Sequence, residues 1–148
     1  MLEVRNIIYF TPFYFKSGNP PKNKYFVVLK RIGEKAILAS MPTSKDHIPN
    51  NIEQKGGCIE LPDINLNCFV ITTLMCVTEC GKYFPRTTYL YGQDLSDVNI
   101  LEMEESYPLE NTDFELWGKM DKTLYLQIIA CFLHSKSIKR KYKAILAL

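Results

Sequence analysis

The side chains best equipped for chemistry cluster between Lys16 and His47. Thr43, Ser44, Lys45, Asp46 and His47 follow one another after Pro42, with Lys24 nearby and Lys16 and Lys22 upstream. Hydroxyls, cations and an imidazole are the parts needed to cleave RNA by transesterification without a metal. A base deprotonates the 2′-OH, a cation stabilises the phosphorane, and an acid protonates the leaving oxygen. On this reading Thr43 helps activate the 2′-OH, Lys24 and Lys45 stabilise phosphate charge, and His47 is the acid or base. Lys16, Lys22 and Ser44 complete the RNA contacts. The same cluster also suits a solvated loop. A Ser44–His47–Asp46 triad is disfavoured, because triads are normally assembled from distant elements.

Other chemistries lack their signatures. The sequence holds no Gly-rich phosphate loop, G-x-S-x-G or H-E-x-x-H. Five cysteines with no C-x-x-C and only two histidines do not make a zinc set. The odd count reads as reduced, mostly buried thiols. No metal or cofactor is expected.

The elements that must position this cluster are strands. Tyr25 to Leu29 is a continuous apolar run, as in a strand buried on both faces. Ile32-Gly33-Glu34-Lys35 is a tight turn, and Ala36 to Met41 returns until Pro42 stops the ladder. Val4 to Phe15 is strand-rich, with Pro12 marking a bend or an edge position. Lys16 to Asn23 is a basic, proline-stiffened loop, either a ligand lip or a plain connection. After a polar loop from Ile48 to Gly57, further strands are predicted at Cys58–Leu61, Asn67–Thr78 and Lys82–Tyr91. Short turns between such segments indicate an antiparallel sheet that curls or closes.

The C-terminus changes period. Asp121 is a candidate N-cap, and Leu124, Tyr125, Ile128, Ile129, Phe132 and Leu133 form a helical stripe. Trp117 reads as a plug at the helix entry, and Ile138 to Leu148 as a short second helix.

A chain of 148 residues, 47% hydrophobic and 23% charged, fits one domain, residues 1–148. No apolar run approaches the roughly 20 residues of a membrane helix. The N-terminus has no signal-peptide pattern, so no membrane association and a cytoplasmic location are expected. The net charge of +2 hides segregation: residues 1–55 carry nine bases against four acids, residues 94–115 eight acids and no base, and residues 136–143 five bases. That acidic segment reads as an insert that either folds over the basic face or sits in water.

In order, Ile7 to Phe15, Ser17-Gly18-Asn19-Pro20-Pro21, Tyr25 to Leu29, Ala36 to Ser44 with its Pro-Thr-Ser exit, Phe69 to Thr78 and the helix after Gly118 resemble the MazF/PemK family of toxin endoribonucleases. The resemblance implies a mainly β fold, a small SH3-like antiparallel β-barrel closed by a C-terminal helix from about residue 121. It also implies metal-independent cleavage of single-stranded RNA, a homodimer, and an antitoxin-like protein as partner. Thr43 and Ser44 match the family's Thr-Ser. Lys24 stands about where the family has an arginine, and Ile71 and Thr73 about where PemK-like members have Arg and Asp. Those departures motivate an alternative, a non-catalytic small-barrel interaction module.

Overall fold

The hairpin forms where its apolar run places it. In a computed structural model, which describes residues 1–44, 47–49 and 55–148, strand β2 (Lys22–Ile32) turns at Gly33 into β3 (Lys35–Ser40). Gly33 sits at φ +56, a conformation glycine adopts without a Cβ penalty, and Ile32 pairs with Lys35 across it. Strand β1 (Asn6–Phe13) flanks β2 on the other side.

The remaining strands are β4 (Gly57–Leu61), β5 (Leu66–Ile71), β6 (Thr88–Tyr91), β7 (Ser96–Asn99) and β8 (Phe114–Lys119). Helices are α1 (Ile100–Ser106), α2 (Lys122–Leu133) and α3 (Arg140–Leu146). The fold is mainly β with helices, as expected, but the strands make two antiparallel sheets. One has the order β7-β3-β2-β1-β8 and the other β4-β5-β6.

The expected barrel is not closed. The reason lies in the acidic segment, which is part of the sheet. It supplies β7 at one edge and the start of β8 at the opposite edge. Between them α1, capped by Asn99 Oδ1 accepting from the Glu102 amide at 3.0 Å, crosses the outer face instead of joining the edges.

This arrangement explains why β2 is apolar without alternation. Val27 and Leu29 face a core shared with Phe69, Ile71, α2 and α3, while Phe26 and Val28 face a second core under Ile100, Met103 and Tyr107. Both faces are covered, so Phe26 to Leu29 are all buried. The outer side of the small sheet forms a third cluster around Val70, Tyr89 and Tyr91.

Helix α2 follows its periodicity. Asp121 Oδ2 accepts from the Leu124 amide at 3.0 Å, and Leu124, Ile128 and Phe132 are buried. Tyr125 is half-buried and donates its hydroxyl to the Leu29 carbonyl at 2.7 Å. Among the described residues no helix is long and apolar enough to cross a membrane.

Three expectations are corrected. The strand predicted at 67–78 ends at Ile71, because Thr72–Met75 and Thr78–Gly81 close as backbone turns, and the one at 82–91 is shortened to Thr88–Tyr91. Trp117 lies on β8, stacked on Phe84 with centroids 4.7 Å apart, and packs against the core that α2 also joins. The cysteines are not all reduced: Cys58 on β4 and Cys131 on α2 form a disulfide with Cα atoms 5.5 Å apart. Of the free thiols, Cys76 and Cys80 are exposed. Only Cys68 matches the buried-thiol reading, and burial pushes its pKa up to about 12.

Candidate functional site

Beyond the fold's two main cores, the basic lip after β1 meets the acidic segment across an open cleft of about 880 Å³. One wall is aromatic: Phe13, Tyr14 and Phe15 leave β1, Phe26 stands on β2, and Tyr107 follows α1. These rings hold one another in place. Phe13 packs on Phe26 at 4.8 Å and on Phe15 at 5.3 Å, and the Tyr14 amide donates to the Tyr107 hydroxyl at 2.9 Å.

Lys24 is the cation at the junction. Its Nζ lies 5.3 Å from the Phe15 centroid and 5.5 Å from that of Phe26, within cation–π range of both. Its pKa is held below the ordinary lysine value, first by desolvation and then by Lys22, with Asp94 opposing. Lys16 also lines the cleft. Past Lys24 and Phe15 the surface continues into a second depression of about 360 Å³, bordered by Asn19, Pro20, Pro21 and Lys22. The predicted loop ends at Pro21, because β2 already begins at Lys22; Lys16 to Pro21 is the lip on the groove, and Lys22 Nζ is 6.0 Å from the Phe15 centroid.

At the other end stand carboxylates. Asp94, Asp97 and Glu102 line the cleft. Asp97 is already engaged, accepting from Tyr142 at 2.9 Å and pairing with Lys35 at 3.3 Å and Lys141 at 3.6 Å. In the wall, Ser40 is only 8% exposed. Its Oγ has no hydrogen-bond partner among the described residues. A buried hydroxyl without a partner is costly.

The predicted residues divide. Lys24 and Lys16 line the cleft and Lys22 borders its extension. Thr43, Ser44 and His47 do not line either. After Met41 the chain leaves β3 and is held by the small sheet, where the Tyr89 amide donates to the Pro42 carbonyl at 2.9 Å. Thr43 and Ser44 are exposed, and the His47 ring meets Tyr91 edge-on at 4.8 Å. The Tyr91 hydroxyl donates to the Ser44 carbonyl at 3.1 Å. Lys45 and Asp46 lie outside the described residues.

Sequence reasoning missed Ser40 and the aromatic wall, while the acidic segment lines the same cleft as Lys16 and Lys24, nearer the first of its two readings than the second. Phe13, Tyr14 and Phe15 carried a signal, three aromatics running into a basic loop, but it read as strand.

Aromatic faces, two flanking lysines and a buried hydroxyl can stack a planar group, neutralise an adjoining anion and orient both. No family model matches the chain, nor does any curated protein or solved structure.

Proposed function

We propose that this chain binds single-stranded RNA, seating one base against the aromatic wall with adjoining phosphates on Lys16, Lys22 and Lys24. The observation that carries this is Lys24, half-buried between Phe15 and Phe26 where the cleft meets the depression. Aromatic platforms beside cations are the usual means of holding single strands without reading sequence. The carboxylates give the ligand a direction: phosphate is repelled from Asp94 and Glu102, which instead accept from amino groups on a base edge.

The test is fluorescence anisotropy with a mixed-sequence RNA oligonucleotide. Binding should weaken as salt rises, because phosphate neutralisation releases counterions. Salt-independent binding to a protein and none to RNA would replace this reading with the interaction module.

Cleavage is a second step of the same proposal, carried by the order of segments and the Pro42-Thr43-Ser44 exit. In that form the chain is a homodimeric, toxin-like endoribonuclease of the cytoplasm, restrained by an antitoxin-like protein. Thr43 and His47 stand off the cleft. Cleavage therefore requires the RNA to run from the lysine lip to the exit of β3. Incubating purified protein with RNA tests this, and an inactive wild type leaves binding alone.

A further inference from the structure

A second open cleft, of about 710 Å³, has the Cys58–Cys131 disulfide in its wall. The two sulfurs are not equivalent. Cys58 lies on the edge strand β4 and is exposed, whereas Cys131 on α2 is 5% exposed. Gly56 and Gly57 precede Cys58 in the cleft wall, where the Met75 and Thr72 side chains pack over Gly56, while Gly57 has nothing within 4 Å of where a Cβ would stand.

Behind the bond lies Asn67, 0% exposed. Its Nδ2 is 3.5 Å from Cys131 Sγ and 3.9 Å from Cys58 Sγ. Gly92 leaves room for this side chain, since a Cβ there would meet Asn67 Oδ1 at 2.7 Å. A fully buried amide aimed at a sulfur makes a weak bond to a disulfide and a stronger one to a thiolate, because hydrogen bonds to charged groups are the strong ones. His134 also lines the cleft. Its Nδ1 donates to the Ala130 carbonyl at 2.8 Å, so Nε2 is the ring nitrogen not engaged by that bond.

From this placement we infer that Cys58 is a thiol–disulfide exchange site that accepts a small thiol from the 710 Å³ cleft, with Cys131 as the leaving sulfur. The incoming thiol gives its proton to His134 Nε2 or to water. Its thiolate lone pair forms a new S–S bond with Cys58 Sγ. The Cys58–Cys131 bond breaks, and its electron pair leaves on Cys131 Sγ, where the Asn67 amide donates to it. A second thiol then attacks the mixed disulfide at its own sulfur, releasing Cys58 thiolate and the oxidised small disulfide. The protein bond is reduced by two electrons and two thiols are oxidised. This site is independent of the RNA-binding reading.

The experiment uses the full chain. Exposed Cys76 and Cys80 are first blocked with N-ethylmaleimide, since they would otherwise compete. Millimolar reduced glutathione is added, the reaction is quenched with acid, and newly released thiols are alkylated with iodoacetamide after denaturation. At early times, before the second thiol acts, peptide mapping should find glutathione on Cys58 and the alkyl group on Cys131; at late times both should carry the alkyl group. The reverse pattern would overturn the inference. So would an intact bond at thiol concentrations that reduce a linear disulfide-linked peptide in the same tube, or a purified chain whose five cysteines are all free thiols.

Discussion

The Tyr142 hydroxyl donates to Asp97 Oδ1 at 2.9 Å, tying α3 to the edge strand β7. That bond is the first cause holding the Asp97 carboxyl below its ordinary value of 3.8, with Lys35 and Lys141 helping. A carboxylate depressed by folding contributes stability above its unfolded pKa and loses it as pH falls through the folded one. Tyr142→Phe keeps the ring's packing and removes the donor. It should cost about 1 kcal/mol near neutral pH. In urea unfolding at a series of pH values, the gap from wild type should shrink below the ordinary carboxylate value. A gap that stays constant into acid would refute the linkage.

Lys24 presents the opposite sign. A lysine whose pKa is lowered by folding carries its cost in full below the folded pKa, and sheds it as pH rises through that value toward 10.5. Lys24→Met keeps an apolar stem between Phe15 and Phe26 and removes the buried charge. At neutral pH its urea midpoint should be no lower than that of wild type, while RNA affinity falls. A clear drop in midpoint would mean that the ring contacts outweigh desolvation.

Phe15 tests the groove itself, since it borders both cleft and depression. Phe15→Ala should weaken RNA binding by about 1–3 kcal/mol, the worth of one stacked base. If Lys16, Lys22 and Lys24 each neutralise a phosphate, log K should fall with log salt at a slope of about −2. Thr43→Ala and His47→Ala should leave anisotropy titrations unchanged. A loss on either would move the RNA path toward the exit of β3.

The Cys58–Cys131 bond closes a chain segment with a sequence separation of 73. Chain entropy alone then predicts that the Cys58→Ser, Cys131→Ser double variant loses about 4 kcal/mol. Calorimetry or denaturant unfolding measures this. A loss near zero would show that the reduced chain is already held together by Ile59, Phe69 and α2.

Local features of this protein are legible in its residues. Gly33 between two apolar runs makes a hairpin, and the run from Phe26 to Leu29 implies cover on both faces. Asp121 followed by a stripe at helical spacing makes α2. Each rests on interactions within a few residues, so sequence spacing carries the geometry.

Tertiary structure decided the rest. The acidic segment reads as an insert because its charges dominate, yet Val98, Ile100, Met103 and Phe114 pack it onto the large sheet and make it two edges of that sheet. Cys58 and Cys131 lie on a strand and a helix whose packing alone brings them together, and an odd cysteine count hides the pair. The chemical cluster was the sharpest sequence signal and is the one that packing divides. Lys16, Lys22 and Lys24 stay with β1 and β2, while Pro42 hands Thr43, Ser44 and His47 to the small sheet through Tyr89 and Tyr91. Spacing along the chain places residues near one another in order. Which sheet claims the strand's exit is set by hydrogen bonds from β6, nearly fifty residues away.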